Sequence, residues 1–120
     1  RWRAPVAYIN RIVLADVKLS GVTVPEGSLV LGAVNGANRD ESVFPDPDTF
    51  DITRDPNRHM AFGTGVHACI GAPLSRLELQ MGLSALVERL PNLRLAAGYE
   101  PRYTGLFANA LTELRVEFDT

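Results

Sequence analysis

The sequence predicts an α+β chain. Three observations carry that expectation. Short runs of β-branched residues, divided by turn formers, fill the first third. One helix-periodic stretch occupies residues 70 to 90. A weakly alternating tail follows it. The hydrophobic fraction of 46%, against 22% charged residues, suffices for a core and argues against disorder.

In chain order, Ile12-Val13-Leu14 and Val17-Lys18-Leu19 read as strands broken at Ala15-Asp16. Ser20-Gly21 predicts a turn before Val22-Thr23-Val24. Pro25-Glu26-Gly27 is placed for a type II turn, where glycine takes positive φ cheaply. Strand character resumes from Ser28 to Val34, giving a small meander or hairpin pair. Residues 35 to 69 hold almost no periodicity and contain Pro45, Pro47, Pro56, Gly63 and Gly65. An irregular stretch this long is uncommon in a compact domain and is usually functional.

The periodicity turns helical at residue 70. Leu74, Leu77, Met81 and Ala85 form one stripe, and Leu79, Leu83, Leu86 and Leu90 an adjacent one. Two apolar stripes predict a largely buried helix. Pro91 ends it. Leu93-Arg94-Leu95 and Leu114-Arg115-Val116-Glu117-Phe118 read as strands, with a glycine-containing loop around Tyr103 to Ala110 between them.

A net charge of −2 argues against a nucleic-acid partner, which would need a basic surface. No apolar run reaches transmembrane length, and no signal-peptide pattern opens the chain. The single cysteine has no internal disulfide partner, and a reducing, cytoplasmic setting suits it. The chain opens at Arg1-Trp2-Arg3 without an initiator Met and reads as a segment of something longer.

The most informative segment is Phe62-Gly63-Thr64-Gly65-Val66-His67-Ala68-Cys69-Ile70-Gly71. Two glycines around one residue permit a tight backbone path and the approach of a flat partner. Cys69 falls where the helix begins, and the unpaired N–H groups and dipole there favour an anion. Four readings stand side by side. Cys69 is a buried structural cysteine, or a nucleophile with His67 as base. It is the thiolate ligand of a heme iron, with Phe62 packed beside the ring and His67 meeting a propionate. It joins His59 and His67 at a zinc ion, in a set short of a fourth ligand.

This segment resembles the heme-binding signature of cytochromes P450 in its bacterial form. Ala37-Asn38-Arg39-Asp40 and Phe44-Pro45-Asp46-Pro47-Asp48-Thr49-Phe50-Asp51 are similar to the family's meander. Gly71-Ala72-Pro73-Leu74-Ser75-Arg76-Leu77-Glu78 resembles the start of its proximal helix. The likeness implies that residues 1–120 are the C-terminal portion of a single, mainly-α cytochrome P450 domain whose N-terminal part is absent. It also implies heme b (iron protoporphyrin IX) with Cys69 as iron ligand, in a site that includes Phe62, Gly63, Gly65, His67, Ile70 and Gly71. Backbone N–H groups just after Cys69 would bond its sulfur. Arg11, read as the start of a strand, resembles the propionate-binding arginine. Arg1 resembles the arginine that closes a Glu-x-x-Arg motif, whose glutamate would precede this chain, and Arg54 the arginine joining that pair. In isolation both arginines read as ordinary surface charges.

Pro5, Val6, Ala7 and Tyr8, with Leu106, Phe107 and Ala108, fall where the family places substrate contacts. Plain core is the other reading for both groups. Arg58 and Arg76 resemble positions on the face where an acidic electron donor docks, or are solvated arginines. The implied reaction is insertion of one oxygen atom from O2 into a small organic substrate. Electrons would come from NAD(P)H through a ferredoxin or flavoprotein. A non-catalytic heme-binding module from a truncated gene and a peroxide-driven relative are the alternatives. The oxygen-activating distal helix is absent from the sequence, so turnover by these residues alone is not expected.

Overall fold

A computed structural model describes residues 1–105 and 107–119. The chain divides into two compact units. The first holds Arg1–Ala61 with Phe107, Ala108 and Asn109; the second runs from Phe62 to Gly105 and resumes at Ala110.

In the first unit, β1 (Tyr8–Ile12) pairs antiparallel with β4 (Leu29–Ala33), from Tyr8 opposite Ala33 to Ile12 opposite Leu29. Between them β2 (Val17–Leu19) pairs with β3 (Val22–Val24). The strands therefore form two nested hairpins rather than a meander. Ser20 and Gly21 both have positive φ, at 47° and 86°. That geometry closes a two-residue hairpin in line with strand twist. Gly27, at φ 79°, is the third residue of a turn closed by the Ser28 amide donating to Pro25 O at 3.2 Å. The glycine thus sits where a type II turn requires it. Asp16, at the expected break, accepts the Glu26 amide at 2.9 Å.

Arg11 does not begin a strand. It is the fourth residue of β1, which starts at Tyr8 and ends at Ile12, before Val13 and Leu14. The five-residue register with β4 fixes those limits, whereas the apolar triplet alone pointed to a start four residues further on.

After β4 comes a single helical turn, α1 (Val34–Ala37). The chain is then irregular to Ala61, and its backbone polar groups need partners other than a ladder. Arginines supply them. The Arg1 guanidinium donates to the carbonyls of Asn38 and Pro47, both at 2.8 Å, and of Thr49 at 3.2 Å. Arg54 donates to Pro45 O at 2.7 Å and Asp46 O at 3.1 Å. Arg39 donates to Trp2 O at 2.8 Å and pairs with Asp48 at 3.0 Å. Arg1 and Arg54 are therefore backbone clamps and not the plain surface charges expected of them in isolation. The Arg1 guanidinium also lies 5.2 Å from the centre of the Phe44 ring. Desolvation, with Arg54 and Arg39 nearby, lowers the pKa of Arg1 from its ordinary value. The buried side chains of this unit are Ala4, Ala7, Val34, Phe44 and Asn38.

In the second unit, a short 3₁₀ turn (Gly65–His67) precedes α2 (Ala72–Arg89). Gly71 is the N-cap of α2, and Pro73 occupies its first turn, where its missing N–H costs nothing. Asn92, at φ 53°, reverses the chain just beyond Pro91. Then β5 (Arg94–Leu95) pairs with β8 (Val116–Glu117), and β6 (Tyr103–Thr104) with β7 (Ala110–Leu111). The stretch expected as a loop is thus framed by a hairpin, since two-residue strands leave too little pattern to read.

The expectation of a largely buried helix is overturned. Of α2 only Ala72 is buried, while Leu74, Leu79 and Met81 are at least 60% exposed. Apolar residues on more than one face need covering layers on more than one side, and the described residues supply none.

Two outcomes are expected in the intact protein. Phe44→Ala lowers unfolding free energy by about 3–5 kcal/mol, measured by chemical denaturation, because it empties a fully enclosed ring site. Asp119 accepts from Asn92 at 2.7 Å and Arg94 at 3.0 Å, and these bonds depress its pKa. A depressed carboxylate stabilises the fold above its ordinary titration range and loses that contribution as pH falls through the folded value. Asn92→Ala raises the Asp119 titration midpoint, read by NMR; an unchanged midpoint would contradict this assignment.

Candidate functional site

The chain from Phe62 to Gly71 folds back on itself. The Cys69 amide donates to Phe62 O at 2.8 Å, and the Ala68 amide to Gly65 O at 3.1 Å. This closure demands left-handed backbone at Gly63 (φ 67°) and Gly65 (φ 62°), which glycine adopts without penalty. A Cβ on Gly63 would lie 3.3 Å from His67 O, whereas one on Gly65 would meet nothing within 4 Å. The first glycine is thus required by conformation and by crowding, the second by conformation, with open space beside it.

Cys69 lies at the entrance to α2. Its carbonyl accepts the Ala72 amide at 3.1 Å, and the Gly71 carbonyl accepts the Ser75 amide at 2.9 Å. A Cβ on Gly71 would stand 3.8 Å from the Cys69 sulfur. Among the described residues, the amides of Ile70 and Gly71 donate to no backbone carbonyl. They follow the sulfur at the positive end of the helix.

Cys69 is exposed, so the described residues do not bury it as a structural cysteine. Its neighbours Val66 and Ile70 are apolar and almost wholly exposed, at 97% and 100%. Apolar side chains around a reachable sulfur, with room beside Gly65, fit a broad, flat, apolar partner bound through sulfur. The residues present therefore suit a heme. No hydrogen bond joins His67 to Cys69 among the described residues, so the nucleophile–base pair is not assembled. Nor do those residues hold a group of three or more His, Cys, Asp or Glu placed for a metal ion, which removes the zinc set of His59, His67 and Cys69. The Phe62 ring lies under the Arg76 guanidinium, 4.8 Å from its centre, so Arg76 is engaged rather than simply solvated.

The remaining candidates are in the first unit. Arg11 is exposed on β1, and its Nη1 donates to Asn10 O at 2.7 Å. Val6 forms an isolated bridge with Ala108, and the Ala7 amide donates to Phe107 O at 2.8 Å. The two segments singled out for substrate, about a hundred residues apart in sequence, are therefore neighbours. Ala7 is buried, while Val6 and Phe107 are about half exposed. Leu106 lies outside the described residues. Sequence reasoning missed Asn38 as more than part of a motif. It is a fully buried polar side chain, and only its place beside Arg39 in an irregular stretch could have flagged it.

Comparisons with known proteins bear on the whole chain. The family model described as Cytochrome P450 matches residues 1–93. The "Biotin biosynthesis cytochrome P450" of Bacillus subtilis is 44% identical over 99% of this chain and 30% of its own length. The "Mycinamicin IV hydroxylase/epoxidase" of Micromonospora griseorubida is 52% identical over 71% of this chain and 21% of its own. Among solved structures, P450BioI in complex with an acyl carrier protein bearing hexadec-9Z-enoic acid superposes with a TM-score of 0.94. It is 42% identical, and the match covers 98% of this chain and 31% of that one. The chain thus spans less than a third of the length of these relatives.

The two glycines make separable predictions. Gly65→Ala costs about 1–2 kcal/mol, the penalty of left-handed backbone alone. Gly63→Ala costs more, because its Cβ also crowds the His67 carbonyl. Denaturation of the intact protein measures both, and an equal cost would show the crowding to be inert.

Proposed function

The chain belongs to the cytochrome P450 family, and from that membership we propose that it is the C-terminal, heme-ligating part of a heme-thiolate monooxygenase. The observation that carries this reading is the exposed Cys69 sulfur at the start of α2, on a loop closed by Gly63 and Gly65. In the longer protein, residues 1–120 are the C-terminal portion of one domain, and that protein is cytoplasmic. Among the described residues no helix is long and apolar enough to cross a membrane.

Each residue has a task. Cys69 binds the iron of heme b as thiolate. The Ile70 and Gly71 amides, which donate to no backbone carbonyl among the described residues, donate to its sulfur and temper its electron donation. Gly63 holds the loop shape, and the bare Cα of Gly65 leaves the ring room to approach. Phe62, Val66 and Ile70 present apolar surface to the ring. His67 and Arg11 donate to heme propionates. Val6, Ala7, Leu106 and Phe107 contribute to the substrate pocket. When bound, heme supplies oxygen activation, which electron donation from the sulfur promotes. The products are an organic substrate carrying one oxygen atom of O2, and water. A ferredoxin or flavoprotein provides the electrons and meets Arg58 and Arg76 by charge complementarity. Nucleic acid is not a partner.

The exposed faces of α2 favour a companion statement. These 120 residues alone do not turn over, because apolar stripes that large are surfaces for the remainder of a domain. Sustained product formation by the fragment loaded with heme would refute it.

The test of the whole reading is a reduced carbon monoxide difference spectrum on the intact protein. A strongly red-shifted Soret band, absent in Cys69→Ala, is expected. A band at the histidine-type position in the unmutated protein would end the proposal. His67→Ala and Arg11→Ala each keep the red-shifted band but lose heme about tenfold more readily, read as transfer to an acceptor protein.

A further inference from the structure

We propose that Asn38 is a positioning residue for the Cys69 loop, a role that rests on the monooxygenase reading above. Asn38 is polar and fully buried. A buried amide is costly unless its groups are bonded. Three bonds converge on it. Its backbone N–H donates to Val34 O at 2.9 Å and ends α1. Its carbonyl accepts from Arg1 at 2.8 Å. Its Oδ1 accepts the Met60 amide at 2.7 Å, across 22 positions of sequence that contain no strand.

Met60 precedes by two residues Phe62, whose carbonyl receives the Cys69 amide. The chain therefore enters the Cys69 loop from a residue whose amide is held from a buried site. A backbone amide in an irregular segment has no ladder to hold it, so the side-chain oxygen replaces one. Nδ2 of Asn38 is buried and has no hydrogen-bond partner among the described residues. Within this chain the side chain therefore acts through its oxygen.

That division sets the experiment. Aspartate keeps an oxygen facing the Met60 amide and loses only Nδ2, with Arg1 beside it to offset the added charge. Leucine keeps the volume and offers no acceptor, and alanine offers neither. The intact protein and its Asn38→Leu, Asn38→Ala and Asn38→Asp variants are compared in two readouts. One is the share of heme giving the thiolate-type carbon monoxide band; the other is the unfolding midpoint. Asn38→Leu and Asn38→Ala are expected to shift most of that band to the histidine-type position, and Asn38→Asp to retain it. Rescue by aspartate separates an acceptor role from simple packing. The proposal is overturned if alanine or leucine retains the wild-type band, or if aspartate loses as much of it as alanine does. Absence of the thiolate band from the unmutated protein is a separate failure, that of the monooxygenase reading itself.

Discussion

The structure depends on how an irregular stretch from residue 38 to residue 69 satisfies its own backbone. Such a stretch has no ladder, and unpaired peptide groups cannot be buried without cost. The chain meets this constraint in three ways. Arg1, Arg39 and Arg54 donate to seven carbonyl or carboxylate oxygens of the first unit. Of those bonds Arg39 sends one to Asp48, and the others go to carbonyls. Asp40 and Asp51 each accept the amide and the hydroxyl of the residue two ahead, Ser42 and Thr53, which lowers both carboxyl pKa values. Cys69 and Asn38 bond directly to backbone further along or back.

Arginine suits this work because its fork reaches several acceptors from one stem and keeps its charge when partly desolvated. The ring of Phe44 and the indole of Trp2 lie against these guanidinium groups, Trp2 with Arg39 at 4.9 Å. Trp2 in turn meets Phe50 edge-on at 5.6 Å. Polar clamps and aromatic packing therefore stabilise the same residues, and neither alone would order so irregular a path.

The second unit uses a different economy. Its loop is set by two left-handed glycines and one amide bond, and that leaves the sulfur uncovered at the head of a long helix. Most of the apolar surface of that helix is uncovered as well. Both features belong to a chain that spans under a third of its relatives' length.

Sequence alone determined what local chemistry encodes. The hairpin β2–β3, the turn at Gly27 and the limits of α2 to within two residues follow from turn formers, β-branched runs and helical spacing. The left-handed turns at Gly63 and Gly65 follow for the same reason: residue type fixes what their backbone can do. Tertiary structure decided what depends on distant partners. That β1 begins at Tyr8, that Arg1 and Arg54 hold carbonyls, and that Asn38 is buried against Met60 are set by residues 8 to 48 positions away. The exposure of α2 belongs here too, because two apolar stripes say that a helix wants cover but not whether the chain contains it. Pattern records the preference of a residue, and only the fold supplies the partner.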